Sequence, residues 1–160
     1  MFELYSDRAR RIIFVTRAIA GRRGAAALEP EHLIEGLVVE DQGKIAEALG
    51  VPREHMMQGL NPSRSFLPPE TAAEILRRLQ LTATKSDAIP DSIDMPMSSA
   101  LGRTLKSAMA LKEELKQQRV EPLHVLAAEL SQDSKAAEIL KDLGITTEAV
   151  IAAIKSGEYF

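Results

Sequence analysis

Two stretches decide the reading of this chain: Glu29-Pro30-Glu31-His32-Leu33-Ile34 and Glu121-Pro122-Leu123-His124-Val125-Leu126. They begin 92 residues apart, and the same offset carries Ser6 onto Ser98, Arg11 onto Arg103, Ile13 onto Leu105, Ala18 onto Ala110 and Asp41 onto Asp133. After a small length change, Ala46-Glu47 with Leu49-Gly50-Val51 returns as Ala137-Glu138 with Leu143-Gly144-Ile145. Two unrelated alanine-rich helices would share apolar positions by chance, but not the Glu-Pro-x-His opening or the Leu-Gly stop. Self-similarity at one offset marks a duplicated unit. The expected fold is all-α: two four-helix repeats related by a pseudo-twofold axis, residues 1–60 and 98–155, joined by a linker over 61–97.

Local signals place the helices. Ser6 is a natural N-cap with Tyr5 as a hydrophobic staple. Ala9, Ile12, Ile13, Thr16, Ile19 and Ala20 then recur at helical spacing as far as Gly21, and Gly21 and Gly24 end the run. Pro30 suits a first helical turn, followed by the apolar face Leu33, Ile34, Leu37 and Val38. A turn at Asp41-Gln42-Gly43 precedes a short helix over 44–49, and Pro52 opens another to about Leu60. In the linker, Pro68-Pro69-Glu70 opens an amphipathic segment with Ala73, Ile75, Leu76, Leu79 and Leu81, and residues 82–97 read as an extended connector. The second half reads as helices over 99–118, 122–131, 134–143 and 147–155.

Composition removes whole classes of function. The 160 residues include no cysteine, which excludes disulfides, thiolate metal sites and cysteine nucleophiles. Three histidines are too few for a histidine-rich metal cage, and 4% aromatics without tryptophan argue against base-stacking platforms. No apolar run approaches the roughly 20 residues that span a bilayer. Glu3, Asp7, Arg8 and Arg10 interrupt any signal-like start, so the chain reads as soluble and cytoplasmic. Charge is uneven: residues 1–24 hold six arginines against Glu3 and Asp7, a local +4 in a chain of net charge -3. A solvated helix face explains this, with polyanion or nucleic-acid binding through the Arg-rich first helix as the alternative.

Candidate chemistry is sparse. His32 and His124 occupy equivalent places early in a helix without further ligands at metal spacing, so a ring bonded to backbone is the expected role. His55 reads as an ordinary helix position. Glu31 in a first turn is accounted for by the helix dipole, and Ser6 and Ser98 by capping. The neighbouring acids Glu29/Glu31 and Glu113/Glu114 do not face each other across a cleft. No Gly-x-Ser-x-Gly elbow occurs. Met56, Met57, Met95 and Met97 suit core and connector packing, or an adaptable partner surface. No catalytic residue, metal or cofactor is expected.

At these residues the sequence resembles the double Clp N repeat, the N-terminal domain of Clp-type AAA+ unfoldases such as ClpA and ClpC, over nearly the whole chain. The resemblance rests on Phe2-x-x-Tyr5-Ser6-x-x-Ala9 and on Pro30-Glu31-His32-Leu33-Ile34-Glu35-Gly36-Leu37, which is similar to the family's Thr-Glu-His-Leu-Leu-x-Gly-Leu signature with Pro30 in place of threonine. Repeat two keeps Pro122, His124, Val125 and Leu126 but has Leu123 in place of glutamate. Ser92-Ile93-Asp94-Met95-Pro96-Met97-Ser98 resembles the lead-in to repeat two of free-standing relatives. No phosphate-binding Gly-x-x-x-x-Gly-Lys-Ser/Thr stretch occurs, so no AAA+ motor is expected within these residues. The resemblance implies a non-enzymatic recognition module in protein quality control, whose partners are protein substrates, adaptors or a Clp AAA+ unfoldase in trans. In some ClpC-type relatives each repeat binds phosphorylated arginine, through residues that include the hydroxyl residue that starts helix one and the glutamate of the Glu-His signature. Carried over, Ser6 and Glu31 match one site. The second keeps Ser98 but has Leu123, which cannot accept a guanidinium.

Overall fold

The computed structural model describes residues 2–52, 64–83 and 85–160. Among them are eight helices and no strand: α1 (Asp7–Arg22), α2 (Pro30–Asp41), α3 (Ile45–Leu49), α4 (Pro69–Thr82), α5 (Ser99–Glu114), α6 (Pro122–Leu130), α7 (Lys135–Asp142) and α8 (Thr147–Ser156). Repeat two is the four-helix unit α5–α8. The first repeat contributes α1–α3, and the helix expected from Pro52 to Leu60, with His55, Met56 and Met57, lies outside the described residues. The linker carries a full helix, α4, packed against α2 and α7.

The two Glu-Pro-x-His stretches open the central helices. Every residue of α6 is buried, as is every residue of α2 except Glu31. Pro30 and Pro122 each stand at the first helical position, where a missing N–H costs no helical bond. The histidine three residues past each N-cap then closes a reciprocal clip. The Glu29 N–H donates to His32 Nδ1 at 3.0 Å, and the His32 N–H donates to the Glu29 carbonyl at 3.0 Å. In repeat two, Glu121 N–H meets His124 Nδ1 at 2.8 Å, and the His124 N–H returns to the Glu121 carbonyl at 3.0 Å. A ring whose Nδ1 accepts must be neutral, with its proton on Nε2.

Crosswise backbone pairing joins the repeats. Val120 N–H donates to the Leu4 carbonyl (2.8 Å) and Ser6 N–H to the Val120 carbonyl (3.0 Å). At the pseudo-equivalent place, Leu28 N–H donates to the Pro96 carbonyl (2.8 Å) and Ser98 N–H to the Leu28 carbonyl (2.9 Å). These are two isolated parallel bridges, Tyr5 to Val120 and Leu28 to Met97. Ser6 and Ser98 cap α1 and α5 by accepting from Ala9 N–H (3.2 Å) and Leu101 N–H (3.1 Å).

Some sequence expectations shift. In α1 the buried stripe also takes in Val15 and Ala18, while Ile13 is only half-buried, because the helix packs on both α2 and α3. In α4 the buried positions are Ala72, Ile75 and Leu79. Ala73 and Leu81 face outward, Leu81 at 71% exposure, because α4 packs along a narrow seam. Helix α5 stops at Glu114, where Leu115 caps it and Lys116 turns to φ 56°. Met95 and Met97 pack, half-buried, against the core. The connector is strapped down rather than loose. Ser86 N–H donates to the Arg23 carbonyl (2.8 Å), Ile89 N–H to the Gly21 carbonyl (2.7 Å), and the Arg17 guanidinium to the Pro90 carbonyl (2.7 Å). Gly24, at φ +66°, lies under it, where a Cβ would come within 2.2 Å of the Asp87 carbonyl oxygen.

Helices α1 and α2 approach closely at Gly36. A Cβ there would meet Thr16 Oγ1 at 2.8 Å and the Ile12 carbonyl at 3.3 Å. Alanine normally stabilises a helix interior by about 1 kcal/mol over glycine. At Gly36 the contact reverses the sign, and Gly36→Ala should lower stability by about 1–3 kcal/mol in urea unfolding. Gly102 in α5 has nothing within 4 Å of its would-be Cβ, so Gly102→Ala should raise stability by about 0.5–1 kcal/mol. A stabilising Gly36→Ala would contradict the close approach.

Burial pushes both clip histidines down to about 4, with the positive charge of Arg23 adding at His32 and that of Lys112 at His124. The folded-state values lie below the unfolded value of about 6.5, so the unfolded chain protonates first as pH falls. Their contribution to stability is therefore complete above about pH 6.5 and is lost on acidification towards 4, at about 1.4 kcal/mol per pH unit for each ring. Carbon-bound ring proton shifts followed by NMR should report both rings neutral at pH 5.5. Midpoints near 6.5 would contradict the clip.

Candidate functional site

The pseudo-symmetric corners where one repeat's helix start meets the other's Glu-Pro-x-His turn are the places to seek the site. The Ser6 hydroxyl bonds the Glu121 carboxylate of repeat two. Ser98 sits on the Leu28 turn that leads into Glu29 and Glu31. Sequence reasoning paired Ser6 with Glu31 as one site. The backbone bonds exchange the helix starts between repeats: Ser6 lies beside Val120 and Glu121, and Ser98 beside the Leu28 turn that leads to Glu31.

The corners differ. At the first, Leu123 is buried in the core at 5% exposure, which explains why an acid is absent there. The chain's own last residues close over it. Arg8 donates to the Tyr159 carbonyl, the Phe160 ring lies 6.3 Å from the His124 ring, and Tyr159 meets Phe66 edge-on at 5.4 Å. Arg8 also forms a two-pronged pair with Glu40 (2.6 and 3.1 Å), and its charge reaches Asp41 and Glu121. Asp41 in turn accepts from the Phe66 (2.8 Å) and Leu67 (3.1 Å) backbone N–H groups. Burial holds the Asp41 and Glu121 carboxyls above the usual range, while the bonds from Phe66 and Leu67 to Asp41, and from Ser6 to Glu121, act against it.

The second corner opens into a cavity of about 420 Å³ lined by Arg23, Glu29, Glu31, His32, Leu79 and Lys135, among others. Glu31 is the one residue of α2 that is not buried. Arg23 is held by Glu35 at 2.5 and 2.8 Å, so its charge is neutralised from one side. Beneath lies Glu129, wholly buried and held by the Thr104 and Ser134 hydroxyls, each at 2.6 Å. Burial keeps the Glu129 carboxyl above the usual range, those hydroxyls oppose this, and the charge of Glu31 pushes the same way as burial. The corner can therefore take a ligand with a cationic group for Glu29 and Glu31 and an anionic group for Lys135. The repeat pattern pointed to Glu31 but not to Arg23 or Lys135, which come from the α1 C-terminus and from α7. Their one sequence sign is that the repeat partner of Arg23 is Leu115.

The arginines of α1 are used inside the chain. Arg8 and Arg23 hold Glu40 and Glu35; Arg10 bonds the Phe2 (3.3 Å) and Glu3 (3.1 Å) carbonyls; Arg17 bonds the connector. Arg22 bonds the Ala48 and Leu49 carbonyls, and Arg11 is also engaged. Among the described residues, no group of three or more acidic, His or Cys side chains is placed to hold a metal ion, and no helix is long and apolar enough to cross a membrane.

Among solved structures, the chain is similar to the N-terminal domain of the caseinolytic-protease-associated chaperone ClpD from Arabidopsis thaliana, at 22% identity over 98% of each chain, with TM-score 0.61. It is also similar to the Hsp104 N-terminal domain from Candida albicans (19% identity, 99% of this chain and 94% of the other, TM-score 0.64). A structure from a study of a malarial protein secretion system gives 21% identity, coverage of 97% and 95%, and TM-score 0.68. At these identities the likeness shows the fold alone. No curated protein matches the chain. The model of the Clp repeat (R) N-terminal domain matches residues 4–142, and the chain belongs to that family.

Proposed function

We propose that this domain is a non-enzymatic protein-recognition module of cytoplasmic protein quality control, and that it binds segments of substrates or adaptors for a Clp AAA+ unfoldase. The observation that carries the reading is the asymmetry of the two corners. One is closed by Leu123 and the C-terminal residues. The other exposes Glu31 in a cavity that also holds Glu29 and Lys135. In this reading Glu31 accepts a guanidinium in two-pronged fashion, Lys135 faces an attached phosphate, and Ser98 anchors the turn that positions Glu31. A phosphorylated arginine on a protein destined for degradation has both features. Ser6 holds the closed corner through Glu121 and does not touch the ligand. The polyanion alternative loses its support, since the arginines of α1 bond carboxylates and carbonyls of the chain itself.

Calorimetric titration with a phosphoarginine-containing peptide tests this. Glu31→Ala should weaken binding by about tenfold or more, the cost of a lost charge-assisted pair. Ser6→Ala should leave affinity unchanged while lowering stability by about 1 kcal/mol. Equal binding by Glu31→Ala and wild type would remove Glu31 from the site.

A further inference from the structure

A second groove lies on the face of repeat one formed by α1, α2, α3 and α4. Its floor is apolar: Ile19, Val39, Ala48 and Leu76 line a depression of about 400 Å³. It sits over a small core cluster of its own, in which Val15, Ile19, Val39, Ile45 and Leu49 pack together apart from the main core. Arg22, Arg23 and Gln80 line this depression and also a neighbouring one of about 330 Å³, so the two are continuous. Lys44 stands in the first part only and Lys85 in the second only, which places one lysine towards each end.

The charge around the groove is out of step with the chain. Arg22, Arg23, Lys44 and Lys85 face only Glu35 and Glu47, whereas the whole protein carries -3. Glu35 is taken by Arg23 at 2.5 and 2.8 Å. Arg22 is anchored to the Ala48 and Leu49 carbonyls and meets no carboxylate among the described residues. Lys44 and Lys85 are exposed and form no ion pair among the described residues. An apolar floor of this size takes a large aliphatic or aromatic side chain, and cations at both ends select anionic neighbours.

From this geometry we infer that the groove binds a short acidic–apolar peptide segment, with a large apolar side chain over Ile19, Val39 and Leu76 and flanking carboxylates at Lys44 and Lys85. This rests on the recognition-module reading and adds a second class of partner segment, opposite in charge to the cationic group proposed for Glu31. A single partner carrying a basic element and an acidic–apolar element could engage both places, since Arg23 and Ala83 line the cavities on either side.

The test uses fluorescence anisotropy with labelled Asp-Glu-Phe-Leu-Glu-Asp on the intact chain at low ionic strength. Two comparison peptides are Lys-Arg-Phe-Leu-Arg-Lys and Asp-Glu-Ser-Ser-Glu-Asp. The acidic–apolar peptide should bind at least about tenfold more tightly than either, and the double variant Lys44→Glu/Lys85→Glu should weaken it by about tenfold. Both lysines are exposed, so the variant's thermal unfolding should match wild type. Equal binding of the three peptides, no binding, or unchanged affinity in the variant would overturn the assignment. The phosphoarginine peptide run in parallel separates the two levels. If it binds while the acidic peptide does not, the groove assignment alone falls; if neither binds, the module reading falls with it.

Discussion

The structure depends on an exchange of backbone bonds between its halves. Each repeat begins with a short extended stretch that docks not on its own second helix but on the turn before the other repeat's second helix. Leu4 and Ser6 clasp Val120, and Pro96 and Ser98 clasp Leu28, through the same pair of bonds. Four bonds worth about 1 kcal/mol each do not hold a domain of this size by themselves. They fix the register in which α2 and α6, buried over nearly their whole length, lie against the rest. The histidine clips serve the same end, because a helix entering a core must satisfy its first N–H groups without water.

Much of this was legible in the sequence. The Glu-Pro-x-His punctuation gave the duplication, the helix class and the position of both central helices. The exchange between repeats was not legible, since a repeat pattern says which residues are equivalent but not which copy supplies a neighbour. The narrow face of α4 is likewise not legible at Ala73 and Leu81, because hydrophobic spacing marks a stripe without saying how much of it a partner covers. Residues that broke the repeat proved the most informative. Arg23 and Glu35 become Leu115 and Ala127; Arg8 and Glu40 become Ala100 and Gln132; Thr104 and Glu129 correspond to Ile12 and Leu37. Each of these polar pairs has an uncharged pair at the same spacing in the other half, so no charged member is left without its partner. An unpartnered buried charge would cost several kcal/mol.

These paired differences make the two halves of the scaffold asymmetric. The corner holding Leu123 is packed shut by the C-terminal residues, and the corner holding Glu31 stays open. Repeat one also keeps a groove rimmed with cations over its own small core, and Arg23 lines both that groove and the open corner. The doubled frame is that of the Clp N-repeat family to which the chain belongs. A duplicated fold supplies two corners and leaves each free to diverge.

The most direct test of the crosswise frame is whether the halves unfold as one. In a urea titration followed by two-dimensional NMR, the amide signals of Leu33 in α2 and Leu126 in α6 report the two repeats separately. The exchange of helix starts predicts one midpoint and one slope for both. Two separated transitions, with one repeat persisting after the other has melted, would contradict it.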